Sequence, residues 1–404
     1  MKKPFSWERG PFEQCPNCRQ QEFGFLSAGG DGVTLRCKTC RYSHCEILPA
    51  VDKKTIYLDQ FMFSCIFKIK AGGRAPFGQQ DFYDELIPLL QRVVLLQQAI
   101  FPHSDIHFKE TTVFYDPQGL RAAFEEIGGA VSFRDSHEIE MNQVFAFANA
   151  FRDGGEPILK LTQDEIVRGS RNDWLPDLRI SLNTDYSNFA KGIRRARDKG
   201  FKELQGMMAV WRAEKPTFPE LLHRESQFGK HRRIALADCI KRTANATDAG
   251  NIGDLVNGTS EPIWREFTML REIFGVGSTI EDTIERVIEF WEWPRMTEMP
   301  TNQIFSYLFA SLGRRVAYGQ QKVTPGILTD FNAIATYAPY VDAMFLDKEC
   351  AHLLAEPELQ RDLHYRARIF SYSNKDAFLA YLRNIVAQAT DEVRYFSERI
   401  YGIK

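Results

Sequence analysis

TIYLDQFMF, residues 55–63, sets a lone carboxylate at the end of an apolar run. Thr55, Ile56, Tyr57 and Leu58 are β-branched, aromatic or aliphatic, and no charge interrupts them, so they read as a short buried strand. Asp59 stands at its carboxyl end, where open α/β sheets form their ligand crevices. An Asp in that place also suits the N-cap of a helix beginning near Gln60. One carboxylate does not choose between these uses, and the choice falls to the rest of the chain.

The pattern repeats near the C-terminus. In VDAMFLD, residues 341–347, Val341, Ala343, Met344, Phe345 and Leu346 form a second buried-type strand that ends on Asp347. Two such strands are what a doubly wound parallel sheet needs to gather carboxylates along one edge. Three further acids are candidates for the same edge. Glu110 lies three residues beyond His107 in SDIHFKET, Asp330 opens the helix-like DFNAIATYA, and Asp342 begins the second acidic strand. Converging carboxylates repel one another, so keeping all of them ionised calls for a divalent cation. Mg²⁺ and Mn²⁺ prefer hard oxygen ligands and retain waters, one of which can attack a phosphodiester. His103 and His107 read as polar packing residues.

The cysteines carry a second, independent signal. Cys15 and Cys18 in CPNC and Cys37 and Cys40 in CKTC are separated by eighteen residues, inside the window in which four thiolates close a tetrahedron around Zn²⁺. The intervening FGFLSAGGDGVTLR has the alternation and Gly-Gly-Asp-Gly turn of a hairpin, which makes the N-terminal segment a zinc ribbon. His44 and Cys45 flank the site, and Cys65, Cys239 and Cys350 lack ligand spacing and read as core residues.

With 404 residues, 44% hydrophobic and 26% charged, the chain is long enough for two or three domains and apolar enough to fold them. No apolar run of about 18 residues and no signal-like leader is present, so the expected setting is cytoplasmic, without a membrane. A net charge of −2 leaves any nucleic-acid binding to a local patch. Residues 1–50 are the ribbon and 51–150 mix strand and helix patterns. Residues 151–299 look like a helical insert, with ILKLTQDEIVRGS, FAKGIRRARDKGFKEL and TIEDTIERVIEFWEW as helices, and residues 300–404 return to mixed patterning. NATDAGNIGDLVNGTS reads as the insert's mobile loop. The insert holds basic clusters at Arg194, Arg195, Arg197, Lys199 and Lys202, then Lys230, Arg232 and Arg233. Arg194, Arg195, Arg232 and Arg233 are the candidates for gripping a phosphate backbone.

At IYLDQ, IHFKET, TDFNAIA and VDAMFLD the sequence resembles the PIN-like nuclease superfamily, over about residues 52–150 and 300–404. The resemblance implies an α/β, PIN-like doubly wound parallel sheet carrying a large helical insert beside the N-terminal zinc ribbon. It implies a metal-dependent nuclease whose Mg²⁺ or Mn²⁺ is held by Asp59, Glu110, Asp330 and Asp347, with Asp342 as an additional catalytic candidate and Glu125 or Glu126 as alternatives to Glu110. Nucleic acid, single-stranded RNA or DNA, is the implied partner, RNA slightly preferred, and the ribbon could engage a protein. Position 61 is Phe61 where the commoner form of the first motif has Asn. An interaction module on a degenerate PIN-like scaffold is the non-enzymatic rival. A haloacid-dehalogenase-type phosphatase is the enzymatic one, and it expects Asp at position 61.

Overall fold

The computed structural model describes residues 8–128, 131–176, 187–248, 262–321 and 323–403. Of the glycine-rich stretch read as a mobile loop, residues 249–260 lie outside them, while 245–248 instead close the helix Phe228–Asp248. Four antiparallel strands come first: β1 (Arg9–Glu13), β2 (Phe23–Gly29), β3 (Gly32–Cys37) and β4 (Ser43–Ile47). β2 and β3 form the expected hairpin, turned by Gly30 at φ +63°, a left-handed conformation that glycine adopts without strain.

A second sheet is parallel and follows from the apolar runs. β5 (Lys54–Leu58) pairs with β6 (Ala99–Ile100) on one side and β9 (Ala343–Phe345) on the other, and β10 (Arg368–Phe370) extends it beyond β9. The order β10-β9-β5-β6 means the chain builds outward in one direction from β5, then crosses back and builds in the other. The crossing point lies between β5 and β9. Side chains alternate across this sheet as strand geometry requires. Ile56, Leu58, Ala343 and Phe345 enter one apolar cluster with the helices Gln60–Lys70, Gln80–Leu95, Pro117–Ile127 and Lys375–Ala387, while Tyr57, Met344 and Leu346 enter another with Pro300–Ala317 and Ile327–Tyr337. Burial on both faces explains why the strands read as unbroken apolar runs.

The insert is helical over most of its described length, with helices Ser187–Glu214, Phe218–Glu225, Phe228–Asp248, Pro262–Phe274 and Ile280–Trp291. Its first helix is part of the core: Leu204, Met208 and Trp211 are buried with Leu308, Phe309 and Leu312. Gly313 permits that approach, since a Cβ there would meet Trp211 at 3.3 Å, and Leu221 of the next helix at 3.0 Å. The expected helix in ILKLTQDEIVRGS is absent. A 3₁₀ turn at Gln163–Glu165 leads instead into β8 (Val167–Arg168), which pairs antiparallel with β7 (Ser132–Phe133). Burial of Ile166 and Val167 and the strand pairing override the local helical pattern. No helix among the described residues is long and apolar enough to cross a membrane.

The ribbon is seated on the rest of the chain. Trp174 is buried against it, donating its indole N–H to the Pro49 carbonyl at 2.8 Å, and Arg399 of the last helix reaches Glu13 at 2.6 Å. Val393 and Ile400 of that helix share the ribbon's apolar cluster.

Candidate metal centre and its cleft

Asp59 and Asp347 leave the sheet on neighbouring strands, for Leu58 is in register with Phe345, and the Asp59 N–H donates to the Phe345 carbonyl at 3.0 Å. Both therefore sit beside the strand-order reversal, where a doubly wound sheet opens its crevice. Each also occupies an N-cap position, but they use it differently. The Asp347 Oδ1 accepts from the Cys350 N–H at 2.6 Å, whereas the Asp59 side chain makes no capping hydrogen bond to the helix it precedes. Asp59 is nonetheless only 9% exposed and has no ion-pair partner among the described residues.

Glu110 is carried by the helix Asp105–Thr112, whose position depends on His107. The His107 Nδ1 accepts from the Ser104 N–H at 3.1 Å, which leaves the ring proton on Nε2, 2.9 Å from the Leu58 carbonyl that immediately precedes Asp59. The ring stacks on Tyr57 at 4.9 Å. Burial, then the neighbouring His103, lowers the His107 pKa to about 3, so the imidazole is neutral and acts as a fixed strut between this helix and the end of β5. The packing role expected for His107 is the one observed. Asp330 lies in the first turn of Ile327–Tyr337, and Asp330, Asp347 and Cys350 each place a ligand-type atom within 4.8 Å of the others. Cys350, a core residue by its spacing, is buried as expected, but its sulfur also belongs to this group.

Asp59 and Glu110 stand outside that group of three and are linked to it by their charges. Burial, then the charges of Glu110 and Asp347, raises the Asp59 pKa to about 8, against the opposing pull of the Phe61 and Asp347 amides. Burial followed by Asp59, Glu110 and Asp347 pushes Asp330 well above the carboxylate range. Glu110 rises to about 7 through burial, with Arg197 pulling the other way. Burial and then Asp347, Asp330 and Asp59 push the Cys350 thiol well up. Buried acids that raise one another's pKa in this way are stabilised as anions by a cation.

A cleft of about 710 Å³ opens beside Glu110, lined among others by Gln60, Lys109, Arg197, Phe201 and Asn332. One wall is the helix Ser187–Glu214, and Arg194 on it donates to the Val113 carbonyl at 3.2 Å. The Gln60 side-chain oxygen is buried with no hydrogen-bond partner, while its Nε2 donates to Thr111 Oγ1 at 3.2 Å. Nothing in the sequence motif singles out Gln60; its position directly after Asp59 is the available signal. Phe61 packs on Phe345 and Tyr372 at 6.2 and 5.5 Å between ring centroids, so position 61 belongs to the core.

Three sequence candidates fall elsewhere. Asp342 lies at the opposite end of β9 from Asp347, where it accepts from the Thr55 N–H at 2.9 Å, from Gln163 and from Arg366 at 2.9 Å. Those donors hold its carboxyl below the usual range against the cost of burial, and it is a structural residue. Arg232 is enclosed in the insert between Glu266 at 3.0 Å and Glu140 at 3.4 Å, which corrects its assignment to nucleic acid. Arg233 is exposed, faces Glu292 at 3.3 Å and does not line the cleft. Arg195 is exposed on that helix. Glu126, the alternative to Glu110, is engaged by Lys70 and Gln91, and Glu125 lines a separate small pocket with His103 and Arg121.

The four ribbon cysteines converge as their spacing implies. Cys15 and Cys40 sulfurs lie 3.6 Å apart, as do those of Cys18 and Cys37, and all four lie within 4.8 Å of one another. A tetrahedron with metal–sulfur bonds of about 2.3 Å has sulfur–sulfur edges of about 3.8 Å, so the four can hold a metal ion. The two knuckles are built alike: the Arg19 and Arg41 N–H groups donate back to the Cys15 and Cys37 carbonyls, and both arginines have positive φ. His44 and Cys45 are exposed on β4 and stand outside the group.

Comparison of the chain with protein-family models, with curated proteins and with solved structures finds no match.

Proposed function

We propose that this chain is a divalent-metal-dependent nuclease with a PIN-like arrangement, its cation held by Asp59, Glu110, Asp330 and Asp347. The observation that carries the reading is the nine-tenths buried Asp59, without a capping hydrogen bond, at a strand-order reversal, its charge coupled to those of Glu110, Asp330 and Asp347 from distant segments. Oxygen donors of this kind suit Mg²⁺ or Mn²⁺. When bound, such an ion supplies Lewis-acid polarisation of a phosphoryl oxygen and a more acidic water. The chain's own contribution is placement. His107 fixes Glu110 against the end of β5, Gln60 offers a free acceptor at the cleft, and Lys109, Arg194 and Arg197 offset phosphate charge along its wall. We read the four ribbon cysteines as a structural zinc site, because four sulfurs with closed tetrahedral spacing leave no position for substrate.

Asp59→Asn keeps the side-chain size and its capping capacity but removes the charge. Mn²⁺ affinity by calorimetry and cleavage of labelled single-stranded RNA and DNA should fall together, while the melting temperature is maintained. Asp347→Asn should match it, and the double variant should be scarcely worse than either, as for groups acting as one unit. Near-normal cleavage by Asp59→Asn defeats the proposal. Mn²⁺ binding without cleavage of either polymer favours the scaffold reading.

A further inference from the structure

We infer that the sulfur of Cys350 is a ligand of the acidic centre and shifts its preference from Mg²⁺ toward softer divalent ions such as Mn²⁺ and Co²⁺. The inference rests on the reading of Asp59, Asp330 and Asp347 as a cation site and adds the identity of the ion. Its ground is geometric. Cys350 is buried at 1% exposure, yet its sulfur is within 4.8 Å of ligand oxygens on both Asp330 and Asp347. The Asp347 Oδ1 accepts from the Cys350 backbone N–H at 2.6 Å, which ties the two residues to one turn and sets their side chains on the same side of it. Asp59, nine-tenths buried and without a capping hydrogen bond, ends the neighbouring strand, where its N–H donates to the Phe345 carbonyl at 3.0 Å.

The chemistry of the donor set then decides the ion. Mg²⁺ takes oxygen ligands almost without exception, whereas sulfur raises affinity for softer transition ions. On binding, the S–H bond breaks, the metal–sulfur bond forms, and the proton passes to buffer.

Cobalt provides a test separate from catalysis. Protein whose ribbon is zinc-loaded, with zinc content checked before and after, is titrated with Co²⁺. Zinc holds four thiolates more tightly than cobalt does, so ribbon sulfur stays out of the measurement. The wild type should develop a sulfur-to-cobalt charge-transfer band in the near ultraviolet, which needs no variant to be seen. Cys350→Ser, close to isosteric, should still bind Co²⁺ but lack the band, and its ratio of Mn²⁺ to Mg²⁺ affinity by calorimetry should fall roughly tenfold or more. Co²⁺ binding without a sulfur band in the wild type, or an unchanged ion ratio in Cys350→Ser, overturns the role of Cys350 and leaves the acidic site standing. Absence of any divalent binding beyond the ribbon overturns both readings.

Discussion

His107→Phe tests how the site is assembled without touching a proposed ligand. The ring at position 107 is buried, stacks on Tyr57 at 4.9 Å and lies 5.2 Å from Phe124, contacts that a phenyl ring can keep. What it cannot keep are the hydrogen bonds to the Ser104 N–H and the Leu58 carbonyl. Leaving two buried backbone groups unpaired costs on the order of 2–4 kcal/mol at pH 8. The pH dependence is more specific. Burial holds the wild-type imidazole's pKa at about 3 when folded, against its ordinary value of 6.5. The unfolded chain therefore binds the extra proton between these values. Wild-type stability from this group is complete above about pH 6.5 and is lost as pH falls toward 3, at about 1.4 kcal/mol per pH unit. Phenylalanine carries no such term. The stability gap between wild type and variant should close on acidification and vanish near pH 4, roughly where the accumulated loss equals the hydrogen-bond cost. Urea unfolding of both proteins from pH 8 to 4 measures the gap. Using the difference cancels the opposite trend of Asp59 and Glu110, whose raised pKa values make the folded state more stable as pH falls. A gap that stays constant over this range refutes a neutral, strut-like His107.

Loss of ribbon ligands should have a local signature. Cys15→Ser or Cys37→Ser should reduce zinc from about one ion per chain, by elemental analysis, and shift the fluorescence of Trp174, which is buried against the ribbon; retained zinc would refute the site. Among the basic residues, Arg197→Gln should weaken single-stranded nucleic-acid binding at all sequences and reduce the salt slope by about 0.7, the value of one phosphate contact. Arg232→Gln should leave that slope unchanged and destabilise the insert by about 3–5 kcal/mol, because Glu266 would remain buried beside Glu140. Equal slopes for wild type and Arg197→Gln would remove the cleft helix from substrate binding.

Legibility follows the range of the interaction. The ribbon is readable because C-x2-C knuckles and a glycine-turned hairpin are local. β5 and β9 are readable because a sheet buried on both faces writes itself as an unbroken apolar run. ILKLTQDEIVRGS misleads because its periodicity competes with a partner strand more than thirty residues away, and Ile166 and Val167 gain more by pairing and burial than by helix formation. The basic clusters show the same limit. Charge density is similar in FAKGIRRARDKGFKEL and GKHRRIALADCIKR, but only the first packs beside the cleft, while the acids that neutralise Arg232 come from two other helices.

Cys350 has a local signal that spacing rules for cysteine clusters pass over. A helix that starts on a strand-ending Asp returns the side chain three positions later to the cap, so Asp347 announces position 350 as a neighbour of whatever Asp347 holds. The same rule separates the two strand-ending acids. Asp347 answers its helix and the site together, through Oδ1 on the Cys350 amide and a carboxylate beside Asp330. Asp59 makes no capping hydrogen bond and feels its helix only through the opposing pull of the Phe61 amide, although it stands at the N-cap and is more deeply buried. A buried carboxylate without a capping hydrogen bond, whose charge burial and two neighbouring acids make costly, is stable in the fold only as a neutral group or with a cation opposite it. Asp59→Asn distinguishes the two: with a cation lost, metal binding falls and folding remains, whereas a permanently neutral Asp59 would leave metal binding as it was.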